Sequence, residues 1–104
     1  MTSAKEVGEA LRGVLDPELG IDIVSLGLVY RIETQDSAIG VQISATSEAC
    51  PMTGLLQSAA WSSLQQAFPG ATIAVQLVHD PPWDVAMLDA HARRILGLPP
   101  REPR

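Results

Sequence analysis

The sequence predicts an α+β domain, a small two-layer sandwich in the order helix, strand, strand, helix, strand, helix. Two periodicities carry that expectation. Apolar residues recur at helical spacing near the start, middle and end of the chain, and three short runs between them alternate apolar with polar. Proline, glycine and aspartate close nearly every run, so the elements are short and sharply bounded. The chain has 104 residues, of which 46% are hydrophobic and 18% charged. That is one domain's worth, able to bury about 65% of its unfolded surface, and the composition is that of a folded protein rather than a disordered one.

In the first helix, expected over residues 3–15, Val7, Ala10, Leu11, Val14 and Leu15 form the apolar stripe. Ser3 and Glu6 have the spacing of a capping box. Gly8 and Gly13 each cost about 1 kcal/mol relative to alanine, so this helix needs a sheet to lean on. Asp16-Pro17 ends it, because a residue before proline is pushed out of the α region. Pro17 to Gly20 reads as a turn and Ile21 to Leu26 as a short extended or turn segment. The first strand is expected over 28–34, with Leu28, Tyr30 and Ile32 on one face, and Gln35-Asp36-Ser37 as a hairpin turn. The second runs over 38–46 with Ile39, Val41, Ile43 and Ala45 on one face. A loop, Ser47 to Pro51, leads into a helix over 51–68 whose stripe is Leu55, Leu56, Ala59, Ala60, Leu64, Ala67 and Phe68. Pro69-Gly70 stops it. The third strand spans 71–79 and presents Ile73, Val75, Leu77 and His79. Asp80-Pro81-Pro82-Trp83 is a stiff loop, and a last helix is expected over 85–96, closed by Gly97. Residues 1–97 then form a single domain and 98–104 a flexible tail.

Charge narrows the partners. Seven basic against twelve acidic residues give a net charge of −5, and the imbalance is uneven. Residues 1–92 hold three basic and eleven acidic groups, while Arg93 to Arg104 holds four arginines and one acid. So acidic a body repels phosphate backbones, which argues against nucleic-acid binding. The N-terminus lacks the apolar core of a signal peptide, and no apolar run approaches the ~20 residues of a membrane span. A soluble, reducing, cytoplasmic setting is the expectation. Six arginines to one lysine suggest a GC-rich bacterial genome. No G-x-S-x-G, G-x-G-x-x-G or G-x-x-x-x-G-K occurs, so the common hydrolase and nucleotide-binding routes have no support.

A single cysteine, Cys50, rules out an internal disulfide and any four-cysteine metal site built from one chain. It precedes Pro51, the favoured first residue of a helix, and so reads as an N-cap. There the free amides and the dipole of the helix favour thiolate, the form that ligates metal or attacks an electrophile; the alternative is a small buried apolar residue. Asp16 and Glu18 flank Pro17, where two carboxylates could ligate a metal, or Asp16 could simply accept backbone hydrogen bonds from its turn. His79 closes a strand and could reach a site at the sheet's end, whereas His91, beside Arg93 and Arg94, reads as solvated. Trp83, with Pro82, either locks a loop onto the core or anchors a partner. Met52 reads as a gap-filler rather than a ligand.

The segment from Asp16 to Tyr30, DPELGIDIVSLGLVY, resembles the signature of the SufT/PaaD-like family of small metal–sulfur cluster biosynthetic proteins, the MIP-eighteen-like proteins of iron–sulfur assembly. Thr46-Ser47-Glu48-Ala49-Cys50-Pro51 is similar to that family's T-x-x-x-C-P loop, Asp80 to Trp83 to its third block, and Ala92 to Gly97 to its ending. The resemblance spans residues 5–97. It implies an iron–sulfur cluster assembly domain-like fold and a role in maturing or delivering iron–sulfur clusters. By position it nominates Cys50 as the reactive or metal-ligating residue, Asp16 as the acid of the D-P-E turn, and Thr46 as a supporting hydroxyl beside the cysteine. Ser25 stands where relatives commonly carry an acid. The C-terminal cysteines of PaaD members that serve oxygenases are missing, which implies a stand-alone member.

The expected function is therefore an assembly or targeting factor for iron–sulfur proteins, more a carrier or helper than an enzyme. Its partners would be assembly machinery and client apoproteins. Iron or a labile cluster would be held by Cys50, with further ligands from a homodimer partner, a client or a small thiol. Two other readings stay open. One is a metal-free adaptor that binds through the sheet edge and the Pro81-Pro82-Trp83 loop. The other is a thiol enzyme with Cys50 as nucleophile and His79 as its base.

Overall fold

The computed structural model describes residues 3–17, 19–46 and 53–99. Helix α1 (Ala4–Leu11) is followed by strands β1 (Val29–Gln35) and β2 (Ala38–Ile43), helix α2 (Thr53–Ala67), strand β3 (Thr72–Leu77), a 3-10 turn (Val85–Met87) and helix α3 (Ala90–Leu96). Apart from the 3-10 turn, that is the order the sequence predicts. The three strands form one sheet in the order β1-β2-β3. β1 and β2 pair antiparallel across a tight turn at Asp36-Ser37, where Asp36 adopts a φ of 54°. β2 and β3 run parallel, with α2 as their crossover.

Alternation explains which face the helices cover. Ile39, Val41 and Ile43 of the central strand are buried, and they join Val7 and Leu11 of α1 and Leu56, Ala60 and Leu64 of α2 in one core. The opposite face stays polar and open, with Arg31 and Glu33 ion-paired on β1 and Gln42 donating to Gln76 across β2 and β3. Ser3 caps α1 as expected: its Oγ accepts from the Glu6 amide at 3.2 Å and the Glu6 carboxylate accepts from the Ser3 amide at 3.2 Å.

Several boundaries differ from expectation, each for a local reason. α1 stops at Leu11, and Leu15 pairs its backbone with Asp22 in an isolated bridge instead of extending the helix. Val14 keeps its buried apolar place without being helical. A bulge between Val29 and Arg31 shifts the register of β1, so Val29 as well as Ile32 packs against the core. β2 and β3 end at Ile43 and Leu77, earlier than the apolar pattern suggests. Leu55, assigned to the stripe of α2, is 60% exposed, and Ala59 and Ala67 are exposed too. The single last helix is two elements, because Asp84 caps the 3-10 turn and Asp89 caps α3. The expected start of α2 at Pro51 and the tail beyond Pro99 lie outside the described residues. Leu98 and Pro99 are tied back, the Leu98 amide to Arg93 O and Pro99 O to the Arg93 guanidinium.

Candidate functional site

The connection from α1 to β1 is built from two carboxylate-held turns in sequence. In the first, Asp16 donates its amide to Ile21 O at 2.9 Å and accepts the Gly20 amide on its own carbonyl at 2.8 Å. Its Oδ1 accepts the Leu19 amide at 3.1 Å, and the residue is only 5% exposed. This carboxylate thus organises the turn around Pro17, the structural part that aspartate commonly plays there. In the second turn the acid is Asp22, which sequence reasoning passed over. Its Oδ2 accepts the Ser25 amide at 2.9 Å and lies 3.8 Å from Arg12 Nη1, an ion pair between the end of α1 and this turn. The readable signal was the D-x-x-S spacing, an aspartate three residues ahead of the amide it caps.

Asp22 O then accepts from Leu26, and Ile23 O from Leu28, so residues 22–28 form a compact knot. Leu28 O in turn accepts the Ser44 amide at 2.8 Å, which fastens the knot to the strand end that carries Ser44, Ala45 and Thr46. Ser25 and Ser44 are fully buried, and among the described residues neither hydroxyl has a hydrogen-bond partner.

The Asp80–Trp83 loop closes over the same knot. The Trp83 indole N–H donates to Leu26 O at 2.6 Å, and its half-buried ring packs against the core. The Tyr30 hydroxyl donates to Pro81 O at 2.8 Å, with Met87 Sδ 3.6 Å away as a weaker acceptor. The Asp89 amide donates to Ser25 O at 2.9 Å. Between loop and knot lies an open cleft of about 640 Å³, lined by Gly27, Tyr30, Asp80, Asp84 and Met87 among others. Gly27 has a φ of +77°, and a Cβ there would meet the Met87 backbone, so the close approach of the 3-10 turn to the knot requires glycine.

Because β2 and β3 are parallel, their C-terminal ends lie side by side: Ile43 is opposite Leu77, and the Val78 amide donates to Ile43 O at 2.8 Å. Thr46 and His79, both half-buried, therefore leave the sheet at one end, the end where β1 begins. Of the residues nominated from sequence, Thr46, His79, Pro82 and Trp83 thus belong to segments gathered at this end, with Pro82 exposed on the loop, while Asp16 holds the turn that leads into the knot. Cys50 and Glu18 lie outside the described residues, as does Met52. Among the described residues no three His, Cys, Asp or Glu side chains stand close enough to hold a metal ion, and no helix is long and apolar enough to cross a membrane.

Comparison with known proteins gives this arrangement a context. The iron–sulfur cluster assembly protein family matches residues 4–77. The Fe-S protein maturation auxiliary factor SufT of Staphylococcus aureus is 37% identical over 86 residues, which cover 82% of this chain and 98% of that one. The factor YitW of Bacillus subtilis is 33% identical over 90 residues, covering 86% and 88% of the two chains. A crystal structure from Bacillus anthracis, described as a domain of unknown function, DUF59, superposes with a TM-score of 0.86 at 34% identity over 91% of this chain and 92% of its own. In fold and in sequence along most of its length, this chain belongs to the iron–sulfur cluster assembly protein family.

Proposed function

We propose that this protein is an auxiliary factor in the maturation of iron–sulfur proteins, and that Cys50 is the group through which it handles iron or a labile cluster. The observation that carries the reading is similarity over nearly the full length of the SufT relative, at 37% identity, together with the family match over residues 4–77. Cluster or iron is cargo in this reading. The chain's own part is to present a thiolate donor at Cys50. Hydrogen-bonded turns such as those of Asp16 and Asp22 are the kind of support that keeps a donor group in a fixed geometry. Partners in this reading are the cluster-assembly machinery and apoproteins awaiting a cluster, in the cytoplasm.

Two measurements test the proposal. In cells lacking the protein, the cluster content of a [4Fe–4S] dehydratase should fall and should recover with the wild-type chain. Anaerobic reconstitution of the purified protein should yield charge-transfer absorption in the visible that Cys50→Ser removes. An unchanged spectrum in Cys50→Ser would sink the ligand role while leaving the maturation role to the cellular assay.

One feature favours the adaptor as a second reading. The 640 Å³ cleft beside the Trp83 loop is open and carries Asp80, Asp84 and the Tyr30 ring, a mixed polar and aromatic lining suited to a protein segment. On that reading Cys50→Ser still restores client maturation in cells and Trp83→Ala does not.

A further inference from the structure

The two edges of the sheet are treated differently. β1 carries a bulge and the Arg31–Glu33 ion pair, two of the devices by which proteins keep an edge strand from pairing with another chain. β3, Thr72-Ile73-Ala74-Val75-Gln76-Leu77, has no charge, proline, glycine or bulge. The Thr72 amide donates to Ser37 O, just ahead of β2, and the Val78 amide to Ile43 O at its end, so by the two-residue period of a strand the N–H and C=O groups of Ile73, Val75 and Leu77 point to the free side. Only one of these groups is occupied among the described residues: the Gln57 side-chain amide, from α2, donates to Val75 O at 2.7 Å. A side chain here stands in for the N–H of a missing strand.

Burial shows the same incompleteness. Along the central strand Ile39, Val41 and Ile43 are at most 2% exposed, whereas Ile73, Val75 and Leu77, which face the same core, are only half-buried. Trp61, 46% exposed, lies one helical turn beyond Gln57 on the same side of α2, and a half-exposed tryptophan is a favoured interface anchor.

Charge selects the occupant. Between Ala49 and Val78 the sequence contains no Asp, Glu, Lys, Arg or His, while residues 1–92 as a whole hold eleven acids against three bases. Two copies of so acidic a molecule repel over most orientations. The uncharged β3 edge and the adjoining side of α2 let them meet without opposing like charges. Antiparallel pairing of a strand with itself is also self-complementary, as a two-fold interface requires.

We propose that the free edge of β3 pairs antiparallel with β3 of a second copy of this chain, joining two three-stranded sheets into one, with Gln57 swinging off Val75 O as the strands meet. Sedimentation equilibrium of the full chain should then show a monomer–dimer equilibrium. Ala74→Lys with Gln76→Lys places charges on the exposed face of β3, where they do not disturb the core, and should weaken the dimer about tenfold or more, since like charges end up facing each other across the new pair. Gln57→Ala should act the other way and tighten it, because the competing donor is gone. Backbone amide exchange at Ile73, Val75 and Leu77 should slow as concentration rises, and should not do so in the double-lysine variant. The proposal is overturned if the wild-type chain stays monomeric, if its dimer is indifferent to the lysines while far-UV dichroism is native, if larger open-ended assemblies form, or if those amides are protected only when an apoprotein client is added.

Discussion

At Gly27 the backbone turns with a φ of +77°, and any side chain would run into the Met87 backbone. Gly27→Ala therefore meets two penalties at once, the left-handed conformation and a backbone collision that no rotamer relieves. The expected loss is about 2 kcal/mol or more, read as a lower midpoint in urea at unchanged slope. The buried serines predict the opposite sign. Ser44 is fully enclosed and its hydroxyl has no partner among the described residues; a buried hydroxyl without a hydrogen bond costs about 1–3 kcal/mol of desolvation. Ser44→Ala removes that cost and leaves only a hydroxyl-sized gap, so thermal unfolding should show an unchanged or raised midpoint. A marked fall would mean the hydroxyl has a water or other partner. Ser25 shares this condition, at the position where the family resemblance leads one to expect an acid. A carboxylate in that enclosure would need partners, and Arg12 is already committed to Asp22.

Among the elements, those with a clean period were readable from sequence and those that depend on distant partners were not. β2 and β3 announce themselves by alternation, the hairpin by Asp36-Ser37, and the start of α1 by its capping box. The end of α1 misleads because Val14 and Leu15 continue the helical spacing; instead the amides of Arg12, Gly13 and Val14 turn to carbonyls three residues back, and Leu15 then pairs with Asp22, seven residues on. The last helix divides because both Asp84 and Asp89 act as caps, and periodicity does not count caps. At the candidate site the motif residues were legible, but the contacts that unite them span more than fifty residues, from Trp83 to Leu26 and Pro81 to Tyr30, and no local pattern encodes such pairings. The loop's dependence on them can be measured. Trp83→Phe keeps the ring and removes the N–H, leaving Leu26 O without its donor, at a cost of about 1–2 kcal/mol. Amide exchange should accelerate in residues 25–28 and 84–89 well before α1 and β2 respond. Arg93 clamps the C-terminal elements in a similar way, its guanidinium donating to Val85 O at 2.9 Å, Leu88 O at 3.3 Å and Pro99 O at 3.2 Å. Arg93→Lys offers a point charge in place of a planar fork and should not restore that clamp.

For the whole molecule the decisive count is one cysteine in 104 residues. An iron–sulfur cluster commonly takes four protein ligands, mostly thiolates. A single chain contributes one, and a pair joined along β3 contributes two. If Cys50 handles a cluster as proposed, the remaining positions must be filled by small thiols or by the client. The bound cluster is then labile by construction, which suits a factor that passes cargo on. Its retention should depend on free thiol. Reconstituted protein should keep its visible absorption while glutathione is present and lose it on anaerobic gel filtration into thiol-free buffer. Adding an apoprotein with a complete four-cysteine site should move the absorption to the client. The double-lysine variant separates the two sources of ligands: if the second chain supplies one, that variant loses its cluster faster than wild type at equal thiol, and if small thiols supply them all, the two decay alike. Retention of the full absorption after thiol removal would mean that other side chains of this chain complete the site, and the carrier reading of Cys50 would give way to a resident cluster.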